Sequence, residues 1–344
     1  MVRQHLSTRL RGRRPARRCA ISLVLALGVA GLAPAACSSS SPVAAPHSAA
    51  RTAPRPAHPA PSTTTTSGRS TTIPWAAATT VTEQPGWAVV SRLLLGIAVD
   101  SHSSRQSDGD VVTVLRFHAG LVHYALHAGW SDPPTGGAGL PADAQPTIRA
   151  DEHAQLLAAF NGGFKMGAGC LPCGVGGMEV AGHVLVPLVN GMTSLVLDPA
   201  GGASMGVWGQ GFPPAGAVVY GVRQTLPPLV SGGQASPNVG DVRAWGATLG
   251  GGNITARGAV GIDSRGNVLY AGSMRTLPSD LANALVSAGA VTAMETDINP
   301  EWVQADTAPS PGGLLSAAIP NQNRPATQYL SGWTRDYVTV LANS

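Results

Sequence analysis

The chain has 344 residues, 43 of them glycine, and a formal net charge of +4. That sign is local: ten of the 22 Lys and Arg precede Glu83, and every acid lies at Glu83 or beyond, leaving twelve basic against eighteen acidic residues, a net of −6. Binding a nucleic acid means neutralising many phosphates with cations, so this balance argues against such a partner.

Residues 1–36 read as a signal peptide. Arg9, Arg11, Arg13, Arg14, Arg17 and Arg18 form a basic start, Ala20 to Ala33 a short apolar run, and small residues follow. The run is shorter than the ~20 residues a membrane-spanning helix needs. Ala35-Ala36-Cys37-Ser38 resembles a bacterial lipobox, with Pro34 where Leu is usual. The expectation is an extracytoplasmic protein, lipid-anchored through Cys37 to the outer face of the cell membrane. The alternative is cleavage after Ala35 or Ala36 and free secretion. Residues 37–85 are rich in Ser, Thr, Pro and Ala, too poor in apolar content to fold, and read as a disordered tether.

Residues 86–344 have the length of one globular domain. Val111–Phe117 and Leu121–His127 read as a hairpin around Ala119-Gly120. Asp151 to Ala159 reads as a helix, its two leading acids suited to a helix start. Further strands are expected at Thr193–Asp198, Met205–Trp208 and Ala217–Val222. Ala259–Asp263 and Val268–Ala271 flank the turn Ser264-Arg265-Gly266-Asn267. Ser279 to Ala288 reads as a second helix, with Ser279 as its cap and Gly289 as its stop. It leads into a strand at Ala290–Met294. These elements predict an α+β fold: a mixed, largely antiparallel sheet with a few flanking helices in a single domain.

Two segments carry candidate chemistry. In Phe160-Asn161-Gly162-Gly163-Phe164-Lys165-Met166 an amide and two glycines precede the only lysine of the chain. Glycines permit close backbone approach, and a lone cation suits an anionic or sugar-phosphate ligand; the plain alternative is a tight turn. In Met294 to Trp302, Glu295 and Asp297 stand two apart at a strand end, which places both carboxylates on one face. Such a pair can divide acid and base roles, as in glycosyl transfer, or hold a divalent cation; an isolated pair of this kind is more often a solvated loop. Asn299, Glu301 and Trp302 add groups suited to a sugar. Arg257, feeding an apolar strand, can fork onto a phosphate. Cys170 and Cys173 in a glycine-rich exported loop read as a local disulfide rather than a redox pair. His118, His123 and His127 lie near the first hairpin and read as ordinary strand histidines, so no metal site is assigned.

Asn161-Gly162-Gly163-Phe164, Arg257–Asp263 with its hairpin, and the helix leading into Met294–Asp297 occur in the order and spacing of the phosphodiester glycosidase domain family, the relatives of the N-acetylglucosamine-1-phosphodiester uncovering enzyme. Arg223-Gln224-Thr225-Leu226-Pro227 and the ending Arg324-Pro325, Tyr329-Leu330-Ser331 and Arg335-Asp336-Tyr337 are similar too. The likeness covers roughly residues 150–342. It implies an exported hydrolase that cleaves a sugar-1-phosphodiester in envelope or extracellular glycans. Asp297 would be the general acid/base and Glu295 a second carboxylate, with Lys165 and Arg257 on the phosphate. Asn161, Gly162, Gly163, Arg223 and Asn299 would bind the substrate, Asn161 and Asn299 orienting sugar hydroxyls. Asp297 matches the aspartate of the family's Asn-Leu-Asp-Gly-Gly-Gly-Ser motif, but Glu295 and Thr296 precede it and Ile298-Asn299-Pro300-Glu301 replaces the glycine run. Pro300 offers no N–H, so this loop does not cradle a phosphate as glycines do. A non-catalytic glycan- or wall-binding module on the same scaffold is the competing expectation.

Overall fold

A computed structural model describes residues 82–106, 110–133, 139–166, 175–246 and 251–343. The expected signal peptide, nearly all of the tether, Cys37, Cys170 and Cys173 lie outside the described residues. In chain order the elements are β1 (Ala88–Leu93), β2 (Gly96–Arg105), β3 (Val111–Phe117), β4 (Val122–His127), α1 (Ala150–His153), β5 (Leu156–Asn161), β6 (Met178–Val180), β7 (His183–Val186), β8 (Thr193–Leu197) and β9 (Ala203–Val207). They continue with β10 (Gly221–Gln224), β11 (Val230–Ser231), β12 (Gln234–Ala235), β13 (Thr255–Asp263), β14 (Val268–Thr276), α2 (Pro278–Ser287), β15 (Ala290–Asp297), β16 (Ala305–Thr307), β17 (Ser316–Ala317) and β18 (Tyr337–Ala342).

The α+β expectation is corrected. The described chain is predominantly β, with three antiparallel sheets and only two α-helices, of four and ten residues. The largest sheet runs β1-β2-β3-β14-β13-β15-β11-β12; the others run β7-β6-β10-β8-β9 and β17-β16-β5-β18-β4. The main reason for the error is Leu156 to Ala159, expected to continue a helix from Asp151. Only Ala150–His153 is helical, and β5 follows as a central strand with all six residues buried. A short continuous apolar run fits a buried strand as well as a helix, and periodicity cannot separate them.

The first hairpin is also corrected. β3 and β4 have nearly the expected bounds but do not pair: β3 joins β2 and β14, while β4 joins β18. The chain turns a corner between sheets at Ala119-Gly120, where Gly120 takes a φ of +82°. The β13–β14 hairpin forms as read. Asp263 caps its turn by accepting from Arg265 N (2.8 Å) and Asn267 N (2.9 Å), and Gly266 takes a φ of +83°. The second helix forms one residue early, with Pro278 in its first turn and no side-chain cap. Pro suits that place because its missing N–H would be unpaired there anyway.

Alternation along the central strands builds two cores. Ala259, Leu269, Ala271 and Ala293 face α2, where Leu281 and Leu285 are fully buried. Burying each leucine contributes about 1.5–3 kcal/mol. Val260, Tyr270 and Met294 face the opposite way, onto Phe160, Leu157 and Val338 of the β5–β18 sheet and Leu195 of the β8 sheet. The functional candidates lie where the strand ends of this second core meet.

Candidate functional site

β15 ends in an irregularity. Ala259 pairs with Glu295, but the next partner, Gly258, pairs with Asp297, so Thr296 is an extra residue on β15. A bulge of this kind breaks the strict alternation of a strand. The equal-face expectation for Glu295 and Asp297 therefore fails, and the two acids address different cations.

Glu295 turns to Arg257. Arg257 Nη1 donates to Glu295 Oε1 at 2.7 Å, and both side chains are fully buried. The guanidinium also donates to the carbonyls of Trp245 (2.9 Å), Asn253 (3.2 Å) and Thr276 (3.3 Å). Every nitrogen of Arg257 is thus committed to protein. Desolvation pushes the Glu295 carboxyl up to about 8 against the pull of Arg257.

Asp297 turns to Arg335. Its Oδ1 accepts from Ile298 N (2.8 Å) and Asn299 N (2.9 Å), which fixes the carboxylate at the head of its own turn. Its Oδ2 lies 3.0 Å from Arg335 Nη1. That is an ion-pair distance without hydrogen-bond alignment: Asp297 Oδ2 and Arg335 Nε are both buried with no hydrogen-bond partner among the described residues. Burial raises the Asp297 carboxyl from its ordinary value, opposed first by Arg335 and then by the two backbone N–H groups. Arg335 Nη2 donates to Gly163 O at 2.6 Å, and its Nε lies 3.4 Å from Asp132 Oδ2. Asp132 in turn accepts from Met166 N at 3.0 Å.

Asn161 lies beside this pair at the end of β5. Its Nδ2 donates to Thr296 Oγ1 (3.1 Å), and its Oδ1 accepts from Tyr270 OH (2.6 Å). Gly258 leaves room for this relay, since a Cβ there would meet Thr296 Oγ1 and Tyr270 OH at 2.8 Å. Gly162 and Gly163 have a related purpose. A Cβ on Gly162 would fall on Asp336 Oδ2, and one on Gly163 would stand 2.6 Å from the Arg223 guanidinium. Arg223 Nε donates to Asp336 Oδ2 at 2.7 Å and Arg223 Nη2 to Phe164 O at 2.6 Å, both members of the ion pair being fully buried. The glycines let that ion pair lie against bare backbone, so the close approach expected from the sequence is made by protein side chains.

The structure thus gathers Asn161, Gly162, Gly163, Arg223 and Asp297, and adds Arg335, Asp336, Asp132, Thr296 and Tyr270. Arg257 and Glu295 form a separate buried pair. Asn299 and Lys165 are exposed, Asn299 on the turn after Asp297 and Lys165 on the loop after Gly163. The sequence signal for Arg335 and Asp336 was their place in the Arg335-Asp336-Tyr337 ending; nothing local marked Asp132. His127, bonded to Glu152 Oε1 (2.7 Å) and Gln145 O (2.8 Å), is a buried framework residue. Among the described residues no group of three His, Cys, Asp or Glu side chains gathers as a metal site, and no helix is long and apolar enough to cross a membrane. A cavity of about 850 Å³ opens elsewhere, lined by Leu94, Leu121, Tyr124 and Asp198, and none of the candidate catalytic or substrate-binding residues lines it.

No protein-family model and no curated protein matches the chain. Similar solved structures include the catalytic domain of zebrafish N-acetylglucosamine-1-phosphodiester alpha-N-acetylglucosaminidase auto-inhibited by its pro-peptide. It is 14% identical with a TM-score of 0.46, over 75% of this chain and 88% of that one. A hypothetical protein from Synechocystis is 11% identical with a TM-score of 0.43, over 73% of this chain and 63% of that one. A Burkholderia pseudomallei protein named as exported is 13% identical with a TM-score of 0.33, over 67% and 74%. The likeness to all three is one of distant fold.

Proposed function

We propose that the chain is an exported, tethered or lipid-anchored hydrolase that cleaves a sugar-1-phosphodiester in envelope or extracellular glycans. The observation that carries this reading is the buried Asp297–Arg335 contact, whose Oδ2 and Nε lack hydrogen-bond partners among the described residues. Leaving a buried polar atom unpaired costs about 1–3 kcal/mol. Glu295 Oε2 is another such atom, but at Asp297–Arg335 both members of one contact have one, and a ligand that supplies the missing partners is one reason to keep them.

In this reading Arg335 holds the phosphodiester and offsets the charge that grows on the departing phosphate. Asp297 accepts a proton from a water molecule, whose oxygen bonds to the anomeric carbon as the bond from that carbon to the phosphate oxygen breaks. The products are a free sugar and a phosphomonoester. A carboxyl raised by burial is a stronger base than an exposed aspartate, and catalysis is best served by a pKa near the working pH. Asn161 keeps one amide hydrogen and one lone pair for a sugar hydroxyl. Asn299 and the exposed Lys165 supply a further amide and cation from adjoining loops. Arg257 and Glu295 hold the end of β15 in place and do not touch substrate.

One observation favours the binding-module reading: Asp297 Oδ1 is already engaged by its own turn, in the segment where Pro300 stands in place of a glycine run. A panel of sugar-1-phosphodiesters, assayed with wild type and Asp297→Asn beside binding to isolated envelope polymers, separates the two. Turnover by wild type, lost in a folded Asp297→Asn protein, is the expected result. Polymer binding with no turnover by wild type overturns the hydrolase and leaves the module.

A further inference from the structure

The turn that carries Asp297 continues into a second group of side chains. Trp302 N donates to Asn299 O at 2.8 Å, which closes the turn. Arg335 lies over the Trp302 ring at 4.8 Å, so the guanidinium that meets Asp297 also backs this indole. Arg335 is only 6% exposed, and the ring face it covers is therefore turned inward. Trp333, two residues before Arg335, stands 5.4 Å from Trp302 at an interplanar angle of 54°. Both indoles remain partly exposed.

Arg324 completes the group. Its guanidinium lies 5.1 Å from the Trp333 ring and 5.8 Å from the Trp302 ring. Glu301 holds it at 2.7 Å, and Asn323 Nδ2 steadies Glu301 at 2.8 Å. Arg324 Nε is nevertheless buried without a hydrogen-bond partner among the described residues. Two tilted, partly exposed indoles thus share one rim with a guanidinium held between them by Glu301. Indoles have an apolar face suited to the C–H face of a pyranose, while fixed polar groups at their edges read hydroxyls.

We infer that Trp302, Trp333 and Arg324 form a second carbohydrate subsite, which takes the sugar ring beyond the one whose anomeric bond is cleaved. The natural substrate is then an oligomeric glycan ending in a glycosyl phosphodiester, not a single sugar phosphodiester. This inference rests on the hydrolase reading for its geometry, but the subsite binds sugar whether or not Asp297 turns it over.

The test uses the full chain and two probes: the p-nitrophenyl phosphodiester of a hexose-1-phosphate and that of the matching disaccharide-1-phosphate. Binding is measured calorimetrically in an Asp297→Asn background, and turnover in the wild-type background. Trp302→Ala, Trp333→Ala and Arg324→Gln are expected to weaken disaccharide binding by roughly 3- to 10-fold each, the size of one aromatic contact. In Trp333→Ala and Arg324→Gln the monosaccharide is expected to bind within about 2-fold of the parent, since it lacks the ring that makes that contact, whereas Trp302→Ala also uncovers Arg335 and is expected to weaken both probes. Trp302→Phe, which keeps an aromatic face and packing, is expected to restore most of the loss and guards against a mere folding defect. If both probes weaken equally in Trp333→Ala and Arg324→Gln, or neither does, the subsite is overturned while a wild-type enzyme that still turns over the monosaccharide keeps the hydrolase reading. Trp-dependent disaccharide binding with no wild-type turnover does the reverse.

Discussion

Two buried ion pairs grow from the end of one strand and differ in how their arginines are held. At Arg257–Glu295, beneath α2, the arginine has a protein acceptor for every nitrogen, although Glu295 Oε2 has no hydrogen-bond partner among the described residues. At Asp297–Arg335, two residues on, Asp297 Oδ2 and Arg335 Nε have none among the described residues. The first pair locks two strands to the backbone around Trp245. The second stands beside an amide relay and a rim of indoles. Both pairs are buried and each leaves one carboxylate oxygen without a hydrogen-bond partner, so charge type, burial and an unpartnered acid do not separate scaffold from site; the arginines differ, every nitrogen of Arg257 having a protein acceptor while Arg335 Nε has none among the described residues.

The sharpest break of this contrast is in turnover. Asp297→Asn is expected to lower sugar release by roughly 10²- to 10⁴-fold, the range for a positioned general base, with an unchanged circular-dichroism spectrum. Unchanged turnover removes Asp297 from the mechanism. Stability should show the opposite order. Arg257→Met leaves Glu295 buried without its cation, which costs about 3–5 kcal/mol in chemical denaturation. The double variant Arg257→Met/Glu295→Met should recover most of that, because no charge is then left unpaired. A double variant as unstable as the single one would mean that the pair does more than balance charge.

A smaller effect is expected at the glycines. Gly163→Ala pushes a methyl to within 2.6 Å of the Arg223 guanidinium and should cost about 1–3 kcal/mol, as overpacking does, read from the denaturation midpoint. The smallest concerns pH. Asp306 is buried and accepts from Gln304 and Gln322 at 2.7 Å each, and desolvation pushes its carboxyl up from 3.8 to about 7. Between those values the folded chain holds a proton that the unfolded chain has released, so this group's contribution to stability falls as pH rises from about 4 to 7. Asp306→Asn should flatten that part of the stability profile. An identical slope in the variant would assign it to other groups.

Local chemistry made some of this legible. The β13–β14 hairpin, the second helix with its Gly289 stop, and β15 running into two acids follow from turn residues and periodicity. β5 did not, because a fully buried run of Leu, Ala and Phe has no period to read. Glu295 and Asp297 were found as residues but misjudged as a pair, since a strand's two-residue repeat holds only until a bulge intervenes. Arg335 was visible in a motif, whereas Asp132 carried no mark of its own.

The sequence by itself determined the charge balance of the chain, its turns, and which acids and arginines were available. It also placed Asn161-Gly162-Gly163 and Asp297 among the residues worth following. Only the tertiary structure decided which cation each acid meets, because ion pairs such as Arg335–Asp297 and Arg223–Asp336 join segments far apart in sequence. One extra residue at Thr296 redirected Asp297 away from Glu295, and strand register is a property of paired chains, not of either strand alone.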